Sequence, residues 1–191
     1  MKKFFYFAIV LFCVVSCTGK KDANNSRFVQ EEDVADSTVY GVCGEGTMMH
    51  MLQLITSLND TVDVAINDED ASLQTQLVGG LMAGDRMAVT MLKTDDGFVA
   101  QRIINITSLV GKWSSIDKNF ELTEDGEVHS HVTSEANAWT AWRILNGQLL
   151  LNRDTFDVIT LGADSLELEN RDGIFLYKRS RAVALQVDSI M

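Results

Sequence analysis

The chain has 191 residues, with 16 Lys and Arg against 27 Asp and Glu, three His, three Cys, no proline and 46% hydrophobic side chains. At roughly 100 to 200 residues per domain this is one domain or two small ones, too apolar for a disordered chain and too short for a large multidomain enzyme. A net charge of −11 with pI ≈ 4.6 speaks against nucleic-acid partners, because binding a phosphate backbone depends on clustered Lys and Arg that displace counterions.

Residues 1–16 start with Lys2 and Lys3 and continue as an apolar run from Phe4 to Val15. That run is shorter than the roughly 20 residues of a bilayer span and has the layout of an export signal. Val14-Val15-Ser16-Cys17 resembles the lipobox of bacterial lipoproteins, which implies cleavage after Ser16, lipidation of Cys17 and a membrane partner through that anchor. Cys43 would then be the one cysteine able to oxidise, and on a strand it is expected to pack as a small hydrophobe. Residues 17–37 form the lipidated cysteine and a tether, since 18–37 lack apolar periodicity; such a length reaches roughly 25 Å from the bilayer. Lys20, Lys21 and Asp22 stand where surface-exported lipoproteins carry an acidic cluster. The expected location is therefore the cell envelope of a Gram-negative bacterium, at the outer membrane and facing the periplasm.

Between 38 and 108, β-branched residues, alternation and turn signals predict strands at 38–43, 47–56, 61–66, 85–93 and 98–106. Asn59-Asp60 and Asp95-Asp96-Gly97 supply turns. Asn67 as cap, Asp68, Glu69 and Asp70 in the first turn and Gly79 as terminator predict one short helix over 68–78. Three strands, a helix and two strands is the order of a five-stranded OB-like barrel. Glycines 41, 44 and 46 join two strands, so they read as a hairpin turn and not a phosphate loop. Met48, Met49 and Met51 read as core packing.

The segment 109–180 reads as an antiparallel meander of about eight short strands: 112–116, 119–124, 127–132, 139–145, 148–152, 155–161, 164–169 and 173–179. Asp125-Gly126 and Asn146-Gly147 are its strongest hairpin turns. The fold class is thus all-β, an OB-like barrel followed by a meander barrel, with 181–191 as a tail. Since each half has its own strands and turns, 109–180 is expected to fold alone, although about 70 residues is near the lower limit for one core.

Leu109-Val110-Gly111-Lys112-Trp113, Phe120 to Gly126, Trp139-Thr140-Ala141-Trp142, Gly147 to Leu151, Asp154-Thr155-Phe156 and Ala163 to Leu166 resemble, in that order, the small lipocalin-like domain of secreted bacterial lipoproteins. The resemblance implies that Gly111 and Trp113 form the Gly-x-Trp signature, with Arg179 (or Lys178) packed across Trp113. It implies no catalytic residue and no cofactor. Alternation puts Trp113, Phe120, Leu122, Val128, Val132, Trp142, Ile144, Leu149, Leu151, Phe156, Val158, Leu166, Leu168, Phe175 and Tyr177 inward. These large side chains either fill the barrel or leave a small apolar pocket, in which Trp113, Trp142 and Phe156 would touch a ligand.

The common hydrolase, zincin and thiol-redox motifs are absent from the sequence. His129 and His131 lie two apart on a strand and would need a third ligand such as Glu127 or His50 to hold zinc; two exposed histidines is the preferred reading, and no metal is expected. The functional expectation is a lipid-anchored envelope lipoprotein that binds a small apolar ligand. The alternative is a structural or interaction module of the envelope with a solid core and a protein partner.

Overall fold

The computed structural model describes residues 35–67, 74–132 and 138–180. Cys17, most of the tether, residues 68–73 of the expected helix and the 181–191 tail lie outside them. The described chain is all-β, as expected. The first sheet contains β1 (Val39–Cys43), β2 (Met51–Thr56), β3 (Thr61–Ala65), β4 (Gln76–Val78), β5 (Arg86–Thr94) and β6 (Gly97–Asn105). β1 pairs with both β2 and β5, β5 with β6, and β3 closes the ring by running parallel to β6, which gives the strand order of a five-stranded OB-like barrel.

Two expectations fail in this half. Residues 76–78 of the expected helix are β4, parallel to β6 in the lane that β3 vacates: Val64 and Ala65 pair with Phe98 and Val99, then Gln76, Leu77 and Val78 with Arg102, Ile103 and Ile104. An open β6 edge outweighs the local capping signals, and the Thr75 hydroxyl fastens the entry by donating to Ala100 O at 2.7 Å. The second strand also begins at Met51 rather than at residue 47. Its lead-in is held as a loop because Gln53 N–H donates to Thr47 Oγ1, and Met48 and Met49 are 66% and 81% exposed rather than packed in the core. Cys43 is buried, its thiol 3.3 Å from the Thr47 hydroxyl.

After β6 the chain makes one helical turn, α1 (Ile106–Leu109), capped by Asn105, whose side chain accepts from Ser108 N–H. Eight strands follow: β7 (Gly111–Ser114), β8 (Asn119–Leu122), β9 (Val128–Ser130), β10 (Trp142–Leu145), β11 (Gln148–Leu151), β12 (Asp154–Leu161), β13 (Ser165–Asn170) and β14 (Gly173–Arg179). They form an antiparallel sheet in the order β10-β11-β12-β13-β14-β7-β8-β9. Its ends meet through Val128 N–H to Thr140 O (2.9 Å) and Trp142 N–H to Gly126 O (2.8 Å), so the barrel is nearly closed. At the β10–β11 turn Asn146 (φ 50°) and Gly147 (φ 79°) take the left-handed conformation that two-residue hairpins require.

Thirteen of the fifteen expected inward side chains are buried. Phe175 is half-buried against the core. Val132 is exposed, because β9 ends at Ser130 and leaves it beyond the sheet.

The expected boundary at 108/109 falls inside α1. One apolar cluster runs from Ala88, Ile104 and Ile106 through Leu109 and Trp113 to Tyr177, so the second core includes side chains of the first barrel's strands. Polar contacts cross the same junction. Arg102 reaches from β6 to Val158 O (2.6 Å) and Asp157 (3.3 Å), and Tyr40 donates to Ile144 O at 2.6 Å. Burial lowers the Arg102 pKa and Asp157 opposes that shift, while the Tyr40 phenol is raised, chiefly by burial, and so stays a donor.

All three tryptophans belong to the second barrel. The full chain should therefore unfold in one transition that tryptophan fluorescence and far-UV circular dichroism report at the same denaturant concentration. A 109–180 fragment should show no cooperative transition. Separate midpoints for the two probes, or a folded fragment, would show that each barrel has a self-sufficient core.

Candidate binding cleft

The eight-stranded sheet is weakest where β14 meets β7. β14 pairs with β13 along its whole length, from Ser165↔Lys178 to Asn170↔Gly173, but with β7 only at Lys178↔Ser114 and Arg179↔Trp113. Past Ser114 the chain turns away, with Ser115 N–H donating to Lys118 O, and returns as β8. Ile174 and Leu176 of β14 have no strand partner on that side among the described residues.

A cleft of about 1030 Å³ lies along this edge. Leu166, Phe156, Trp139, Phe175 and Tyr177 line it from the inner face of the sheet, and Ile174, Leu176, Lys178 and Glu167 from the outer face, with the 114–118 turn as one wall. The volume is at the upper end of the range for small-molecule sites. The wall aromatics Tyr177, Trp139, Phe156 and Phe175 are joined through the core residue Phe120 into one edge-to-face chain, Tyr177–Phe120–Trp139–Phe156–Phe175, with centroids 5.1 to 5.9 Å apart. Trp139 is fixed at both ends: its indole N–H donates to Asp154 Oδ2 at 3.0 Å, and Lys118 Nζ sits 4.0 Å above the ring. Four carboxylates, Asp117, Asp154, Glu167 and Asp172, face two lysines around the cleft, so its surroundings are acidic.

Of the three expected ligand contacts, Phe156 alone lines this cleft. Trp142 is buried elsewhere, its indole N–H on Thr123 O at 2.9 Å near the β8–β9 turn. Trp113 has no exposed surface. Trp139 is the contact that alternation missed: strict period 2 from Trp142 puts it outward, but residues 138–140 are not strand and the chain carries the ring inward.

Gly111, Trp113 and Arg179 are in mutual contact. Arg179 lies 4.2 Å over the Trp113 ring, and its guanidinium donates to Ala163 O (2.8 Å), Val110 O (2.9 Å) and Ser108 O. Trp113 N–H donates to Leu109 O at 2.8 Å. Gly111 is at φ 132°, and a Cβ there would come 2.5 Å from Arg179 Nη1, so both backbone and space exclude a side chain. His129 and His131 reach different carboxylates, Glu127 at 3.3 Å and Glu121 at 3.6 Å. Among the described residues no three His, Cys, Asp or Glu are grouped to hold a metal ion.

No protein-family model matches the chain, and no curated protein or solved structure does either.

Trp113→Ala should cost about 3 to 5 kcal/mol as a truncation of a fully buried aromatic. Arg179→Lys keeps the charge but has one nitrogen where the three carbonyls are met by Nε, Nη1 and Nη2, so it should recover less than half of the stability lost in Arg179→Ala. Urea unfolding of the three variants checks this. Full recovery by lysine would mean that charge alone matters.

Proposed function

We propose that this chain is a lipid-anchored cell-envelope binding protein, held by Cys17 at the periplasmic side of the outer membrane, whose lipocalin-like second barrel takes an apolar ligand in the cleft beside β14. The observation that carries the binding half is the cleft itself, which reaches buried aromatics beside the exposed apolar side chains Ile174 and Leu176. The charged start, apolar run and lipobox-like Val14-Val15-Ser16-Cys17 support the anchored half. The packing of Arg179 on Trp113 beside Gly111 supports the lipocalin-like reading. A ligand inside the barrel, at Trp113 and Trp142, has less support because large side chains fill that interior.

Cys17→Ala should abolish labelling by a fatty-acid analogue and release the chain from membranes. Retention of that variant in the membrane fraction contradicts the anchor. For the cleft, the neutral apolar dye Nile red should bind saturably. Ile174→Asp, at an exposed position that should leave folding intact, should weaken it about tenfold, equal to roughly 1.4 kcal/mol. Trp142→Phe should leave dye binding unchanged. Absence of saturable binding, or equal binding by Ile174→Asp, would remove the cleft from the function.

A further inference from the structure

Backbone hydrogen bonding along β14 alternates in a way that end-of-strand bonds fix. Arg179 N–H donates to Asp164 O on the β13 side, and Ser180 N–H to Lys112 O on the β7 side. Odd-numbered residues of β14 therefore face β13, and even-numbered residues face the β7 lane. In that lane Lys178 meets Ser114, but Leu176 and Ile174 meet nothing among the described residues. Two N–H donors and two C=O acceptors thus point into the cleft, on a strand whose outer side chains Ile174 and Leu176 are 60% and 68% exposed. Ile116, at the turn where β7 leaves the lane, is fully exposed.

A purely apolar molecule would cover the side chains and strand these backbone groups without partners, which is costly. An extended peptide meets both requirements, since its backbone pairs with Ile174 and Leu176 while its alternate side chains fall on the inner wall at Phe156 and Phe175 and on the outer face. Natural edges of this kind are normally guarded by proline, lysine or a bulge, and between 173 and 177 β14 has none of these. The acidic surroundings select the charge of the partner. We infer that the free edge of β14 is a strand-addition site for an extended, positively charged peptide segment of another protein, bound antiparallel as in the rest of the sheet. This rests on the cleft being the binding site, and puts a peptide there in place of a purely apolar molecule. The stretch from 173 to 176 spans about 13 Å at roughly 3.3 Å per residue, room for one short segment.

The test uses the full chain and the peptide acetyl-Lys-Thr-Val-Thr-Val-Thr-Lys-amide, followed by calorimetry. Three forms are compared: unmodified, N-methylated at alternate residues, and N-methylated at the intervening residues. Strand addition predicts that one methylated form loses at least tenfold in affinity while the other binds like the parent, because only one set of N–H groups faces β14. Leu176→Pro, which deletes a lane-facing N–H, should weaken the peptide, whereas Leu176→Thr, which keeps it, should not lose as much. Equal affinity of all three forms overturns the inference. So does Nile red binding without any peptide binding, which leaves the cleft as a site for apolar molecules; failure of both probes removes the cleft altogether. Two other occupants give separate signatures, each also overturning the assignment to a foreign peptide. A second copy of the chain would appear as a dimer in sedimentation that Leu176→Pro dissociates. Residues 181–191, where Val183, Leu185 and Val187 alternate, would show as peptide binding that emerges only in Leu185→Asp.

Discussion

The Arg179 guanidinium is the tie on which the second barrel and its junction with the first depend. It collects the carbonyls of Ser108 and Val110 at the end of α1 and that of Ala163 before β13, and it lies on the face of Trp113. The end of a helix leaves carbonyls without intrahelical partners, and a planar cation with several donors answers them where water is partly excluded. Those carbonyls flank the chain's passage from one barrel to the other, so the same side chain that covers Trp113 also sets the direction in which β7 starts. Gly111 is required by the same arrangement, since its backbone passes directly under the guanidinium.

The strands of the second barrel were legible because one face is buried and the other is not. In β8, β11 and β13 apolar residues at every second position, such as Phe120 and Leu122, Leu149 and Leu151, or Leu166 and Leu168, are buried. What the sequence obscured depends on partners distant along the chain. β4 is three residues long and exists because β6 needs a neighbour beyond Val99, while Asn67 and the acids after it look locally like a helix start. Trp139 is carried inward by an irregular segment, where a period-2 rule has no purchase.

The cleft belongs to the same category. It arises from a mismatch of lengths, seven residues in β14 against four in β7, and no property of either segment alone shows which strand will be its neighbour. Individually, Ile174 and Leu176 read as ordinary outward residues of a strand. Exposed side chains of that size become informative only when the backbone beside them is also open. On the inner side, the aromatic series joins the floor of the cleft to the core through Phe120 and Trp139, so a ligand there would press on side chains that also hold the barrel together.

The entry of the chain into the folded body has a mechanical meaning. Ser37 gives both its N–H and its hydroxyl to Asn146 Oδ1, at 2.8 and 2.7 Å, and Asn146 N–H returns a bond to Thr38 Oγ1 at 2.8 Å, just before β1 begins. Ser37 and Thr38 are thereby fastened to the β10–β11 turn of the second barrel before the chain enters the first. Tension arriving along the preceding segment is divided between two load paths, β1 within its sheet and the hairpin carrying Asn146. The bonds at Ser37, Thr38 and Tyr40 lie close together along the chain, so all of them act where it enters the folded body. On the anchoring proposed above, the two barrels are tied to each other at the point where the tether ends.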